Sequence, residues 1–91
     1  MALPTRINHK ISRALDVIAE RVLDDARMTW VAAEIDSEYA LHAWFNASAR
    51  QPAGAYLAYR AAVEHEQAAA DELQRLSELT QPCRERRARS E

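Results

Sequence analysis

The chain has 91 residues, of which 48% are hydrophobic and 29% charged, and its formal net charge is −2. This length allows one domain with one small core, and the mix of apolar and charged residues argues against intrinsic disorder. One glycine, three prolines and one cysteine exclude a turn-rich β fold and an internal disulfide, and no apolar run approaches the length of a membrane span. Without an apolar leader segment, we expect a cytoplasmic protein.

The segment between Pro4 and Pro52 has neither proline nor glycine, which predicts helix from a candidate N-cap at Thr5. Its first half carries an apolar stripe at steps of three and four, formed by Ile7, Ile11, Leu15, Ile18 and Val22. The stripe fails at Asp25 and resumes in another phase, with Trp30, Ala33, Ser37, Ala40 or Leu41, and Trp44. We favour one long bent helix over two helices joined near residues 24–29.

Residues 46–54 form the predicted break, because they hold the only glycine and the middle proline. A last helix is predicted from Pro52 to about Leu79, ended by Gln81-Pro82. Its apolar stripe is Tyr56, Tyr59, Val63, Ala70, Leu73 and Leu76 or Ser77. The fold class is therefore all-α: a long helical hairpin or three-helix bundle, completed by dimerisation or by a partner. Residues 1–81 form the domain and residues 82–91 a basic flexible tail.

Charge is unevenly distributed along the chain. Carboxylates at steps of four form two acidic rows, Asp16, Glu20 and Asp24, and then Glu34 and Glu38. Neighbours in a row are about 6 Å apart along the helix axis, which resembles the phosphate repeat of a nucleic-acid strand. The rows therefore fit either a basic groove built for nucleic acid or, more simply, a solvated helix face.

The tail carries four arginines: Arg84, Arg86, Arg87 and Arg89. They are expected to be solvated, with at most weak contact to nucleic acid. No membrane partner is expected.

The sequence has few features that indicate a metal site or a catalytic site. Glu38 and His42 are one helical turn apart and could share a metal ion with Glu34, but we favour solvated side chains. There is no Gly-rich phosphate loop, no nucleophile elbow and no paired cysteine. We therefore expect no catalytic residue and no cofactor, and we interpret Cys83 as an incidental thiol.

The aromatic residues Trp30, Trp44, Tyr56 and Tyr59 are candidates for a binding patch that a hairpin would assemble, or for core packing. Trp44-Phe45-Asn46 resembles the Trp-x-Gly turn of the small exported helical hairpins of type VII secretion, with Asn in place of Gly. This chain has a longer link and lacks the Tyr-x-x-x-Asp/Glu export signal. The resemblance implies a secreted two-helix protein that dimerises.

Together these features favour a small, non-enzymatic protein–protein interaction module, a regulator or inhibitor. A phage or mobile element could carry it to block a host defence or a nucleic-acid-binding machine through its acidic surfaces. A homodimer is expected, and the identity of a protein partner is open. The alternatives are a secreted hairpin dimer and a carboxylate/His metal-binding bundle.

Overall fold

The computed structural model describes residues 5–47 and 52–90, with side chains over 9–47 and 52–89. Helix α1 spans Thr5–Phe45 and helix α2 spans Pro52–Ser90, and these described ranges contain no strand. Contacts between residues 37 and 62 and between residues 16 and 86 show that the helices run antiparallel. The molecule is a rod of 70 × 25 × 15 Å. The all-helical hairpin predicted from the sequence is confirmed.

Helix α1 is continuous through residues 24–29, as the favoured prediction of one helix requires. The hydroxyl of Thr29 donates a hydrogen bond to the backbone carbonyl of Asp25, one turn earlier, at 3.0 Å. The Thr29 hydroxyl therefore has a hydrogen-bond partner within the helix. The backbone N–H of Asn46 donates to the carbonyl of His42 and closes the last turn. Helix α2 begins at Pro52, where a missing N–H costs nothing.

Helix α2 does not end before Pro82, so that prediction is wrong. Proline inside a helix removes one backbone hydrogen bond and costs about 3 kcal/mol. Side-chain bonds reach across this position: Arg84 donates to the carbonyl of Ser77 at 2.6 Å, and Arg86 donates to Asp16 on α1 at 2.6 Å. These contacts hold the segment beyond the proline as helix up to Ser90.

The two helices meet along a seam with alternating steps of three and four, the spacing of a coiled coil. The seam positions of α1 are Ser12, Asp16, Ala19, Leu23, Ala26, Trp30, Ala33, Ser37, Ala40 and Trp44. The facing positions of α2 are Ala55, Tyr59, Ala62, Glu66, Ala69, Leu73, Leu76, Thr80 and Cys83. Every residue of both sets is buried or half-buried. The seam predicted from Trp30 to Trp44 is therefore confirmed.

Small side chains bring the helices close together. Alanine occupies every seventh position of α1 from Ala19 to Ala40, and Ala33 is only 1% exposed. The hydroxyl of Ser37 donates directly to the backbone carbonyl of Ala62 on α2, at 3.2 Å. A hydroxyl on Cβ can reach the opposite backbone only if the two helices approach closely.

Most of the apolar stripe predicted for the first half of α1 does not face α2. Val22 is half-buried beside α2, and the side chain of Ile7 lies outside the described residues. Ile11, Leu15 and Ile18 are exposed, and the positions between them face α2 instead. A continuous helix that pairs with one partner must keep one heptad phase along its whole length. The alanine repeat sets that phase, so the bulkier stripe lies about 100° around the helix. In the predicted stripe of α2, Tyr56 and Val63 are likewise exposed.

Replacing Ala33 by leucine should lower the free energy of unfolding by about 1–3 kcal/mol, because the added bulk must push the helices apart. Ala32→Leu is the matched control, since Ala32 is exposed on the same turn, and its effect should stay within about 0.5 kcal/mol. Urea unfolding followed by helical circular dichroism measures both. Equal stability of the two variants would contradict the tight seam.

Candidate protein-interaction site

Aromatic rings gather where the hairpin turns. The ring of Trp44 lies 5.9 Å from Phe45, 5.1 Å from Tyr56 and 5.5 Å from Tyr59, measured between centroids. Trp44 and Tyr59 are half-buried seam residues, whereas Phe45 is 75% exposed. We call Trp44, Phe45, Tyr56 and Tyr59 the loop-end aromatic cluster. The cluster combines the half-buried rings of Trp44 and Tyr59 with the exposed ring of Phe45.

The helix geometry explains this arrangement. Trp44 occupies the last seam position of α1, and Phe45 follows it by 100° around the axis, which turns its ring outward. The hairpin brings three of the four predicted aromatic residues together. Trp30 lies two heptads earlier on the seam, about 21 Å away along α1, and does not join them. Phe45 joins the group because it directly follows Trp44 before the turn, as the sequence indicates.

Carboxylates flank the aromatic cluster. Glu34 and Glu38 of the second acidic row line a shallow groove of about 200 Å³ together with Glu66 of α2. Tyr59 of the aromatic cluster lines the same groove. Within residues 34–47 and 52–66 there are five carboxylates and one arginine. The loop end therefore combines exposed aromatic surface with a negative field.

The first acidic row is only partly the solvated face predicted from the sequence, because Glu20 and Asp24 are exposed whereas Asp16 is half-buried. Asp16 lies on the helix–helix seam and accepts a hydrogen bond from Arg86 at 2.6 Å. Glu20 pairs with Arg87, and Asp24 pairs with Arg27 at 3.1 Å. Two tail arginines thus neutralise two of the three carboxylates, and the row does not present a series of free negative charges.

The pairing also shows in the pKa of Arg86, which the hydrogen bond to Asp16 raises above its ordinary value. Arg84 bonds within its own helix, to Ser77, and Arg89 is exposed. The tail arginines are therefore part of a helix, and two of them clamp the end of α2 onto α1.

The described residues contain no group of three or more His, Cys, Asp or Glu side chains placed to hold a metal ion. Glu38 and His42 are both exposed. Cys83 is half-buried and lines a groove of about 450 Å³ with Asp16 and Arg87. Neither described helix combines the length and apolar character that crossing a membrane requires.

Comparison with protein-family models, with curated proteins and with solved structures finds no match to this chain.

Arg86→Ala should loosen the end of α2, because Asp16 would lose its partner while remaining largely buried in the seam. Solvent partly screens the pair, so we expect the effect to be concentrated at this end of the hairpin. Amide hydrogen exchange over residues 83–89 should quicken severalfold. Arg89→Ala, at the same end of α2, is the control and should leave the exchange rates unchanged. Equal rates in the two variants would contradict the clamp.

Proposed function

We propose that this chain is a non-enzymatic protein–protein interaction module that regulates or inhibits a partner by docking its loop end on it. The observation that carries the proposal is the exposed ring of Phe45 beside three other aromatic rings. Trp and Tyr are the side chains most enriched among residues that dominate binding energy, and such residues cluster.

The cluster is organised in advance of binding. The ring of Trp44 stacks near-parallel with the rings of Phe45 and Tyr59. Since these side chains are already ordered by one another, binding would cost little additional side-chain entropy. Tyr56 and Leu57 widen the exposed apolar area on α2. A partner with a matching apolar pocket would find the anchor pre-formed.

The charge around the cluster defines the class of partner. Exposed Asp36 and Glu38, with half-buried Glu34 and Glu66, surround the seam at this end. Such a field steers a basic protein surface into contact and repels phosphate backbones. The nucleic-acid-binding face of another protein has this basic character. We therefore propose a protein partner with a basic rim around an apolar pocket, and not nucleic acid itself.

Phe45→Ala should weaken partner binding by at least about 30-fold, as expected for a hot-spot residue worth about 2 kcal/mol. It should leave the helical content unchanged, because the ring is exposed. Met28→Ala is the control: Met28 is 71% exposed on the same helix, about 25 Å away, and its loss should have no effect.

The measurement is quantitative affinity capture from a lysate of the source organism with both variants and the unaltered chain, followed by titration of the purified captured protein. A partner that binds the unaltered chain and Met28→Ala but not Phe45→Ala, and that is released by added salt, agrees with the proposal. Equal capture by all three, or binding that salt does not weaken, would contradict it.

A further inference from the structure

We propose that a second copy of this chain covers the exposed apolar flank of α1, in a twofold, antiparallel pairing of the two α1 helices. The apolar flank comprises the exposed residues Ile11, Leu15 and Ile18 and the half-buried Val22. This inference rests on the proposed role as an interaction module but concerns the other end of the hairpin, where α1 begins and α2 ends.

The hairpin by itself has little core. The buried apolar side chains in the described part of the chain are Ala19, Leu23, Ala33 and Ala69. The chain exposes 7443 Å², whereas a compact monomer of 10.3 kDa exposes about 5,400 Å². This excess of about 2,000 Å² per chain comes from the elongated shape of the whole rod. A standard interface buries about 800 Å² per partner, so a second hairpin paired along part of α1 can be accommodated within it.

The apolar flank has the spacing of a second coiled-coil seam. Its steps are four, three and four, which a facing helix can match. Ile18 is 57% exposed, although it is among the bulkiest apolar residues of α1. At its last residue, Val22, the flank meets an apolar groove of about 290 Å³ between the two helices, which Leu76 also lines. Leu79 is exposed one turn beyond Leu76. Both helices thus contribute to one open apolar face.

The flank is complementary to itself when inverted. Antiparallel pairing about its midpoint sets Ile11 against Val22 of the second copy and Leu15 against Ile18 of the second copy. The exposed charges at its two ends have opposite sign, with Lys10 before the flank and Asp25 after it. The same pairing sets residue 10 against residue 23 of the second copy, so each Lys10 lies within one helical turn of Asp25 of the second copy and the charges favour the antiparallel direction. A parallel pairing would place like charges together.

This register also separates the acidic parts of the two hairpins. Residues 24–47 and 52–75 carry nine carboxylates and three arginines. Pairing through residues 11–22 directs the two loop ends away from each other, which minimises their repulsion. It also leaves both loop-end aromatic clusters free.

The test is the molar mass of the full chain in solution, by light scattering during gel filtration over a hundredfold concentration range. We expect twice the chain mass for the unaltered protein. Ile18→Glu should give the monomer mass, because it places two carboxylates near the twofold axis. Val31→Glu is the control, as Val31 is 47% exposed on the opposite face of α1, and it should remain dimeric.

Charge reversal keeps the test decisive if Ile18→Glu fails to fold. Lys10→Glu should weaken the dimer about tenfold, and the double variant Lys10→Glu/Asp25→Lys should restore it. The proposal would be overturned if the unaltered protein is monomeric, or if Val31→Glu breaks the dimer and Ile18→Glu does not. It would also be overturned if Lys10→Glu/Asp25→Lys fails to restore a dimer that Lys10→Glu weakens. Phe45→Ala should stay dimeric, so failure of the loop-end interaction and failure of the dimer are separately visible.

Discussion

Close approach of two helices along a seam of small residues is the constraint on which this structure depends. Alanine at every seventh position of α1 lets Ser37 reach the backbone of α2. Because a continuous helix keeps one heptad phase, this choice fixes the direction of every other side chain of α1. It places Asp16 in the seam and Phe45 at the exposed loop end, and it leaves the flank residues Ile11, Leu15 and Ile18 uncovered.

Long-range pairing of charge then completes the hairpin. The clamp between Arg86 and Asp16 joins residues 70 positions apart, and Arg87 adds a second pair with Glu20. These contacts close the open end of the rod beyond Pro82. The same arginines remove negative charge from the first acidic row, which weakens the idea that this row imitates phosphates. The acidic field that remains lies at the loop end, beside the exposed aromatic ring.

Local sequence features predicted much of this architecture. The absence of proline and glycine over residues 5–45 and the sequence around Pro52 correctly indicated two long helices, and the stripe from Trp30 to Trp44 correctly indicated half of the seam. Periodicity alone could not decide between two stripes in the first half of α1, because both have helical spacing. The larger side chains from Ile11 to Val22 favoured a stripe that does not face α2. The alanine repeat from Ala19 to Ala40 marks the positions that do face α2.

Other features could not be predicted from local pattern. The bond between Asp16 and Arg86 depends on the register of two helices, which no single segment specifies. The continuation of α2 beyond Pro82 depends on the same tertiary contacts overriding the local cost of proline. Of the predicted aromatic residues, Trp44, Tyr56 and Tyr59 come together because the hairpin turns after Trp44, whereas Trp30 belongs to the same seam at a distance.

The most direct test of the whole account compares thiol modification rates at two engineered cysteines, Ala33→Cys and Ile18→Cys, each in a Cys83→Ser background. The account predicts that the seam thiol at position 33 is protected at every protein concentration. The flank thiol at position 18 should react rapidly in dilute solution and become protected as the concentration rises and a second copy covers it. Equal reactivity at the two positions would contradict the alanine seam, and a rate at position 18 independent of concentration would contradict the dimer.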